Sequence, residues 1–205
     1  MENSIKKIYG NSNTKGSKRQ NDINSEVVEF FSKQDSYKDK TFKKEVKLKT
    51  PNDMGGKSTF KVDIVVYDVD GNIVEIILNK APYSNMKQNE TNATGSRFFE
   101  PFRLIYDFPN AKLTWFTFSP NNTPYFKKSG LVKNIEKNNI HSICNEKFYK
   151  LVSAESENFS IREIFVTFDW KGISVGQNKK DYDQMSINGQ FSFEEIKIQE
   201  FSQGK

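Results

Sequence analysis

One segment, KVDIVVYDVDGNIVEIILNK at residues 61–80, constrains the fold more than any other part of the chain. Two apolar arms flank Asp70-Gly71, and a pair of this type between apolar runs predicts a β-hairpin. Each arm nevertheless carries one acid, Asp63 on the first and Glu75 on the second. The register between the arms therefore decides whether the two carboxylates meet.

The alternation of side chains along the arms favours one register. A two-residue turn would place the acids on opposite faces, whereas a three-residue loop, residues 69–71, pairs Asp63 with Ile77. The side chains that then face the core are all aliphatic: Val62, Ile64 and Val66 on the first arm, and Val74, Ile76 and Leu78 on the second. We therefore expect Asp63, Glu75 and Ile77 on one common face.

Two carboxylates on one face repel each other unless a cation lies between them. Oxygen ligands of this kind suit Mg²⁺, which accepts one or two carboxylates and keeps several of its waters. The simpler interpretation is a solvent-facing acid on each arm of an exposed hairpin, and both interpretations stay open at this point.

Composition narrows the function classes. The chain has 205 residues and a net charge of +5, which suits one domain and favours polyanionic partners such as nucleic acid. The single cysteine, Cys144, excludes an internal disulfide framework, and the single histidine, His141, excludes multi-histidine metal sites. No apolar run reaches the length of a membrane span and no signal-peptide pattern opens the chain, so we expect a cytoplasmic protein without membrane association.

Local patterns predict the order of elements. Residues 1–21 are polar and basic and predict a flexible arm, which leaves 22–205 as a single domain. Helices are expected at 22–34, 96–108 and around 146–153, strands at 44–50, 111–119 and 161–170, and a strand or a hairpin turning at Asn188-Gly189 over 186–201. This order predicts an α/β (α+β) fold with a mixed central β-sheet flanked by helices.

The hairpin resembles the core of the PD-(D/E)xK nucleases, the fold of most type II restriction endonucleases. In that family an acid on one strand and a (D/E)-x-K motif on the next bind divalent metal and activate water. Asp63 matches the first acid and Glu75 the second, while Val62 stands where the family has proline. The resemblance spans residues 22–120 and implies a restriction endonuclease-like core.

The resemblance also implies a function. It implies a hydrolase of a restriction system, which cleaves double-stranded DNA at phosphodiester bonds as a homodimer. Its Mg²⁺ would be held by Asp63, Glu75 and the carbonyl of Ile76.

Ile77 departs from the family pattern because it stands at the position of the catalytic lysine. Isoleucine can neither position the attacking water nor stabilise charge on phosphate. Three explanations stay open: an inactivated nuclease, a natural non-catalytic DNA-binding or regulatory relative, and an active enzyme whose lysine has moved to Lys61. We expect little or no cleavage, and we expect Ile77→Lys to raise Mg²⁺-dependent cleavage.

The resemblance implies that DNA is read just beyond the second strand of the hairpin. Asn and Gln side chains can bond adenine, while Arg and Lys suit guanine or phosphate. The candidates are Lys80, Tyr83, Asn85, Lys87, Gln88, Asn89, Asn92 and Arg97. Further candidate segments lie at 119–130 and 170–182, and a solvated loop explains any single one of these residues equally well.

Overall fold

The computed structural model describes residues 1–10, 17–49, 59–82, 84, 99–104, 106–137 and 160–201. These residues form an α+β fold with a six-stranded mixed sheet and a separate two-stranded hairpin. The helices are α1 (Glu2–Gly10), α2 (Ser17–Ser32) and α3 (Lys179–Ile187), with a 3₁₀ turn at Asp35–Tyr37 and helical residues at 99–104 and 106–107. The strands are β1 (Thr41–Lys49), β2 (Thr59–Tyr67), β3 (Ile73–Lys80), β4 (Lys112–Pro120), β5 (Asn122–Phe126), β6 (Val132–Lys137), β7 (Ser160–Trp170) and β8 (Phe191–Phe201).

The strands of the large sheet follow the order β1-β2-β3-β4-β7-β8. The first three strands pair antiparallel, β3, β4 and β7 pair parallel, and β8 returns antiparallel to β7. Strands β5 and β6 form the separate hairpin. The expected mixed sheet is confirmed, and its parallel centre brings β3, β4 and β7 side by side.

Two apolar clusters cover the faces of the sheet. The first joins α1, α2 and α3 to β4 through side chains such as Val27, Tyr182 and Phe116. The second packs Leu104, from the helical residues 99–104, against Trp115 on the other side of β4. Neighbouring side chains of β4 therefore pack in different apolar clusters, because side chains alternate between the two faces of a strand.

The first ten residues form part of the core, unlike the flexible arm expected there. Ile5, Ile8 and Tyr9 share one face of α1 and are fully buried. The Tyr9 hydroxyl lies 2.9 Å from the carbonyl oxygen of Pro82 and 3.2 Å from that of Phe118. Three apolar side chains at helical spacing and the Tyr9 hydroxyl attach this otherwise polar segment to the rest of the fold.

Most of the other expected elements are confirmed, with shifted ends. Helix α2 begins at Ser17, five residues before the expected start, and the tail forms β8. Asn188-Gly189 is not a hairpin turn, because it connects α3 to β8. The helix expected around 146–153 lies outside the described residues, as do His141 and Cys144. In the described part of the chain, no helix is long and apolar enough to cross a membrane.

The expected register of the β2–β3 hairpin is wrong. Ile64 pairs with Ile77 and Val66 pairs with Glu75, so Asp63 does not lie opposite Ile77. A register shift between Val66 and Tyr67 absorbs one residue beside the turn. A bulge of this kind changes the pairing of every residue beyond it, so turn length alone could not predict the register.

Side-chain hydrogen bonds hold that turn. The Asp68 carboxylate accepts hydrogen bonds from the backbone amides of Asp70 at 3.0 Å and Asn72 at 2.8 Å. Gly71 takes a φ of 83°, in the left-handed region that glycine tolerates best. These local hydrogen bonds stabilise the turn whichever residues of the two arms are apolar.

Candidate functional site

Glu75 lies in a buried ion pair with Arg162. The Arg162 Nη2 is 2.5 Å from Glu75 Oε1, and the two side chains are 10% and 5% exposed. The Tyr37 hydroxyl donates to Glu75 Oε2 at 2.6 Å, and the Thr114 hydroxyl donates to Oε1. Arg162 in turn donates to the oxygens of Tyr37 and Thr114. We call these four residues the ion-pair cluster.

The electrostatics of the ion-pair cluster favour a structural role. Burial, followed by the charge of Glu75, raises the pKa of the Tyr37 hydroxyl above its ordinary range, so Tyr37 remains a neutral donor. Burial alone would lower the pKa of Arg162, but Glu75 and Tyr37 outweigh it and raise that pKa. The cluster thus holds one fixed negative and one fixed positive charge.

A second polar cluster joins α2 to the first three strands. Its members are Gln20, Asn24, Glu45, Asp63 and Asn79, and we call it the amide–acid cluster. The Gln20 Nε2 lies 2.7 Å from Asn79 Oδ1, 3.0 Å from Asp63 Oδ1 and 3.2 Å from Asn24 Oδ1. Three oxygens thus share one amide nitrogen that carries only two hydrogens.

Further hydrogen bonds close the amide–acid cluster. The Asn79 side-chain nitrogen donates to Asn24 Oδ1 at 2.6 Å, and the Asn79 backbone amide donates to Asp63 Oδ2 at 2.8 Å. The Asn24 Nδ2 donates to Glu45 Oε1 at 2.9 Å. Asn24 and Asn79 are buried, so these bonds satisfy polar groups that water does not reach.

A local irregularity in β1 and β2 turns Asp63 toward α2. Lys44 pairs with Ile64 and Val46 pairs with Val62, but Glu45 between them has a φ of 56°. Ile64 then packs in the first apolar cluster and Val62 in the second, although regular alternation would keep them on one face. The change of face accounts for the contact between Asp63 and α2.

The carboxylates of Asp63 and Glu75 do not converge. Asp63 contacts Asn79, and Glu75 lies four residues from Asn79 along β3, which corresponds to about 13 Å in an extended strand. Each acid has its own partners, Gln20 for Asp63 and Arg162 for Glu75. Asp63, Glu75 and Ile77 do share the helix-bearing face of the sheet, but the register separates the two acids along the strands.

The expected Mg²⁺ ligands therefore do not fit a shared metal site. Both oxygens of Glu75 accept hydrogen bonds from buried donors of the protein, while Asp63 accepts hydrogen bonds from Gln20 and from the Asn79 backbone amide. Among the described residues, no group of three or more His, Cys, Asp or Glu side chains could hold a metal ion. No metal-dependent step follows from the set Asp63, Glu75 and Ile76.

Ile77 is part of the core. It is fully buried in the first apolar cluster and pairs with Ile64 on one side and Thr114 on the other. A lysine here would place an ammonium group among apolar side chains. Lys61, the alternative lysine, forms an ion pair with Glu45, and its hydrogen bond is the main reason that the pKa of Glu45 is lowered.

The DNA-reading candidates lie mostly outside the described residues. Lys80 is exposed at the end of β3, with its Nζ 5.8 Å from the ring centroid of Trp115. The structure does not describe Tyr83, Asn85, Lys87, Gln88, Asn89, Asn92 and Arg97. Segment 119–130 forms the end of β4, β5 and the following turn, and segment 170–182 connects β7 to the first turn of α3.

Five exposed lysines lie on or beside the outer strand β1. We call them the basic edge: Lys43, Lys44, Lys47 and Lys49 on β1 and Lys61 on β2. The acid among them, Glu45, is neutralised by Lys61. The basic edge adjoins the amide–acid cluster, since Glu45 belongs to that cluster and Lys44 lies 3.2 Å from Ser25 on α2.

Sequence reasoning missed most partners of the two acids. Asn79 and Arg162 did carry a signal, because each lies in a largely apolar strand and so predicts a buried polar contact. Gln20 and Glu45 carried none, since polar residues are ordinary in a helix and in an edge strand. No protein-family model, curated protein or solved structure matches this chain.

Replacement of Glu75 tests the ion-pair cluster. Glu75→Ala is expected to lower the free energy of unfolding by about 3–5 kcal/mol, because it leaves the Arg162 charge buried without a partner. Replacing both Glu75 and Arg162 with Met removes both charges and should recover most of the loss. Urea unfolding measures both effects, and an alanine variant as stable as the parent would contradict the cluster.

Replacement of Ile77 tests whether this position is part of the apolar core or the position of the family's catalytic lysine. Ile77→Lys is expected to lower the free energy of unfolding by about 4 kcal/mol or more, because it buries an unpaired charge. Ile77→Val, the matched control, should cost about 1 kcal/mol. Denaturant unfolding and a DNA cleavage assay check this together. A folded Ile77→Lys protein that gains Mg²⁺-dependent cleavage would instead support the sequence-based expectation.

The raised pKa of Asp63 makes the stability of the protein depend on pH. Burial raises the pKa of Asp63, against the lowering effects of the Asn79 amide and Lys80, so the folded state holds this proton to a higher pH than the unfolded state. The Asp63 contribution to stability is therefore fully present below the unfolded pKa of about 3.9 and is lost as the pH rises through the folded pKa.

Asp63→Asn should flatten the stability curve above about pH 4, because it removes the titrating group. Asp70→Asn, at an exposed position of the turn, is the matched control and should leave the slope unchanged. The free energy of unfolding, measured across the acid pH range, tests this prediction. If it changed with pH equally in the parent and in Asp63→Asn, the raised pKa of Asp63 would be contradicted.

Proposed function

We propose that this chain binds double-stranded DNA on a restriction endonuclease-like sheet and is inactive or strongly impaired as a Mg²⁺-dependent nuclease. The observation that carries the proposal is the engagement of Glu75 by Arg162, away from Asp63. A carboxylate held by a buried guanidinium is a poor metal ligand, since a cation would have to displace its counter-charge. The proposal corresponds to a non-catalytic relative of the type II restriction endonucleases.

The order of elements supports the scaffold. Helix α2 is followed by the β2–β3 hairpin, then by the helical residues 99–104, and then by β4 alongside β3. The resemblance over residues 22–120 implies the same order. Fold alone does not assign a function, so the DNA-binding part of the proposal needs its own support.

The basic edge supplies that support. Its five lysines and one acid give a local excess of positive charge on one side of the sheet. Lysines along an exposed strand can contact successive phosphates, and such contacts supply sequence-independent affinity for DNA. Lysines on an edge strand also prevent pairing with other chains, so salt dependence is the property that discriminates between the two roles.

A second candidate is an active nuclease with a relocated site. The observation in its favour is the φ of 56° at Glu45, a conformation that costs energy at a non-glycine residue and often marks a functional site. Glu45 and Asp63 are both held by amides of α2, and Lys61 lies beside Glu45. Two carboxylates with several waters suit Mg²⁺, which would supply an activated water at this site.

A salt titration of DNA binding tests the proposal. A fluorescent duplex of mixed sequence should bind with an affinity that falls steeply with salt. Lys47→Gln/Lys49→Gln should lower the slope of log K against log salt by about 2, because two phosphate contacts are lost. Lys33→Gln/Lys137→Gln, with the same change in net charge, should leave the slope unchanged. Binding that is absent or insensitive to salt would overturn the proposal.

A cleavage assay then separates the two candidates. With Mg²⁺ present, a plasmid should remain intact with the parent chain and with Glu75→Gln. Cleavage that is lost in Glu45→Gln and retained in Glu75→Gln would replace the leading proposal with the relocated site. Cleavage lost in Glu75→Gln, in a folded protein, would instead restore the site that the resemblance implies.

A further inference from the structure

The outer side of β8 is the second edge of the large sheet. β8 spans eleven residues and pairs with β7 on its inner side, and among the described residues no strand pairs with its outer side. An edge of this length offers unpaired backbone donors and acceptors to another strand. Ile198 is 55% exposed on this strand, although isoleucine is usually buried.

A groove adjoins the same edge. It has a volume of about 360 Å³ and lies between α1, α2 and β8, with Met1, Phe30 and Ile196 as its apolar lining. Glu26, Glu29 and Lys33 also line it. Ile196 is partly buried against the first apolar cluster, so the groove and the side chain of Ile196 lie on the helix-bearing face of the sheet.

Opposite charges flank Ile196 on β8. Glu195 precedes it and Lys197 follows it, and both are about half exposed with their charged atoms 3.0 Å apart. Two residues apart on a strand, they share one face, opposite to the face of Ile196. The local sequence is therefore self-complementary in charge when a second copy of the strand runs antiparallel to it.

We propose that β8 pairs with β8 of a second copy of this chain, antiparallel, around a twofold axis at Ile196. A twofold axis normal to the sheet preserves its faces, so a residue at the axis lies opposite itself. Centring on Ile196 sets Glu195 opposite Lys197 twice. Centring on Glu195 or on Lys197 sets like charges opposite each other, which is destabilising.

The groove accepts the same arrangement. Directly opposed side chains in an antiparallel pair lie about 5 Å apart, so Ile196 of the second copy would lie beside Ile196 of the first. That position adjoins the groove, where Met1 and Phe30 provide apolar contacts. A second copy of this chain, paired in this register, is therefore favoured by strand pairing, charge complementarity and burial of Ile196. The two six-stranded sheets then form one continuous sheet.

The inference does not rest on DNA binding, and its test measures only association. Analytical ultracentrifugation of the parent chain should show a dimer. Lys197→Glu and Glu195→Lys each set like charges opposite each other at both cross-strand positions, and each should weaken the dimer by about tenfold or more. Both positions are exposed, so circular dichroism should show an unchanged fold. Lys137→Glu, on β6, is the matched control and should leave the dimer intact.

A mixture of the two single variants is the decisive test of the proposed register. One variant then carries two positive charges at the cross-strand positions and the other carries two negative charges, so a heterodimer restores both ion pairs. With a tag on one variant, the heterodimer is expected at the dissociation constant of the parent. The double variant Glu195→Lys/Lys197→Glu should also dimerise. A monomeric parent, or single variants that associate as strongly as the parent, would overturn the inference.

Discussion

A carboxylate at position 75 can remain charged inside this core only because a guanidinium from β7 meets it. Arg162 reaches past Thr114 on β4 to Glu75 on β3, so one ion pair connects three neighbouring strands. Tyr37 completes the arrangement from the 3₁₀ turn that follows α2. The parallel pairing of β3, β4 and β7 sets this contact, and without it Arg162 would be buried alone.

The amide–acid cluster performs a different task. It attaches α2 to the sheet through Gln20 and Asn24, which reach strands β1, β2 and β3. The positive φ of Glu45 accompanies this attachment, and the energy it costs must be repaid by the hydrogen bonds around it. Asp63, the acid that the hairpin pattern singled out, therefore accepts hydrogen bonds from the Gln20 amide of α2 and the backbone amide of Asn79.

The two edges of the sheet differ in chemistry. On β1, lysines dominate, whereas on β8 Glu195 and Lys197 flank Ile196. A predominantly positive edge repels a second copy of itself and attracts polyanions, while opposite charges on the two sides of Ile196 allow β8 to pair with its own copy. The proposals for DNA binding and for self-association therefore concern opposite ends of one sheet and do not compete for the same surface.

The sequence by itself determined the elements that depend on local pattern: helix α2, the β2–β3 hairpin, strands β4 and β7, and the unusual status of Asp63 and Glu75. Only the tertiary structure decided which residues those acids meet. A bulge beside the turn shifted the register, Arg162 lies 87 residues from Glu75, and the irregularity at Glu45 turned Asp63 toward the helix-bearing face. Local periodicity indicates which side chains are buried. The partner of a buried charge depends instead on strands that come together only when the sheet forms.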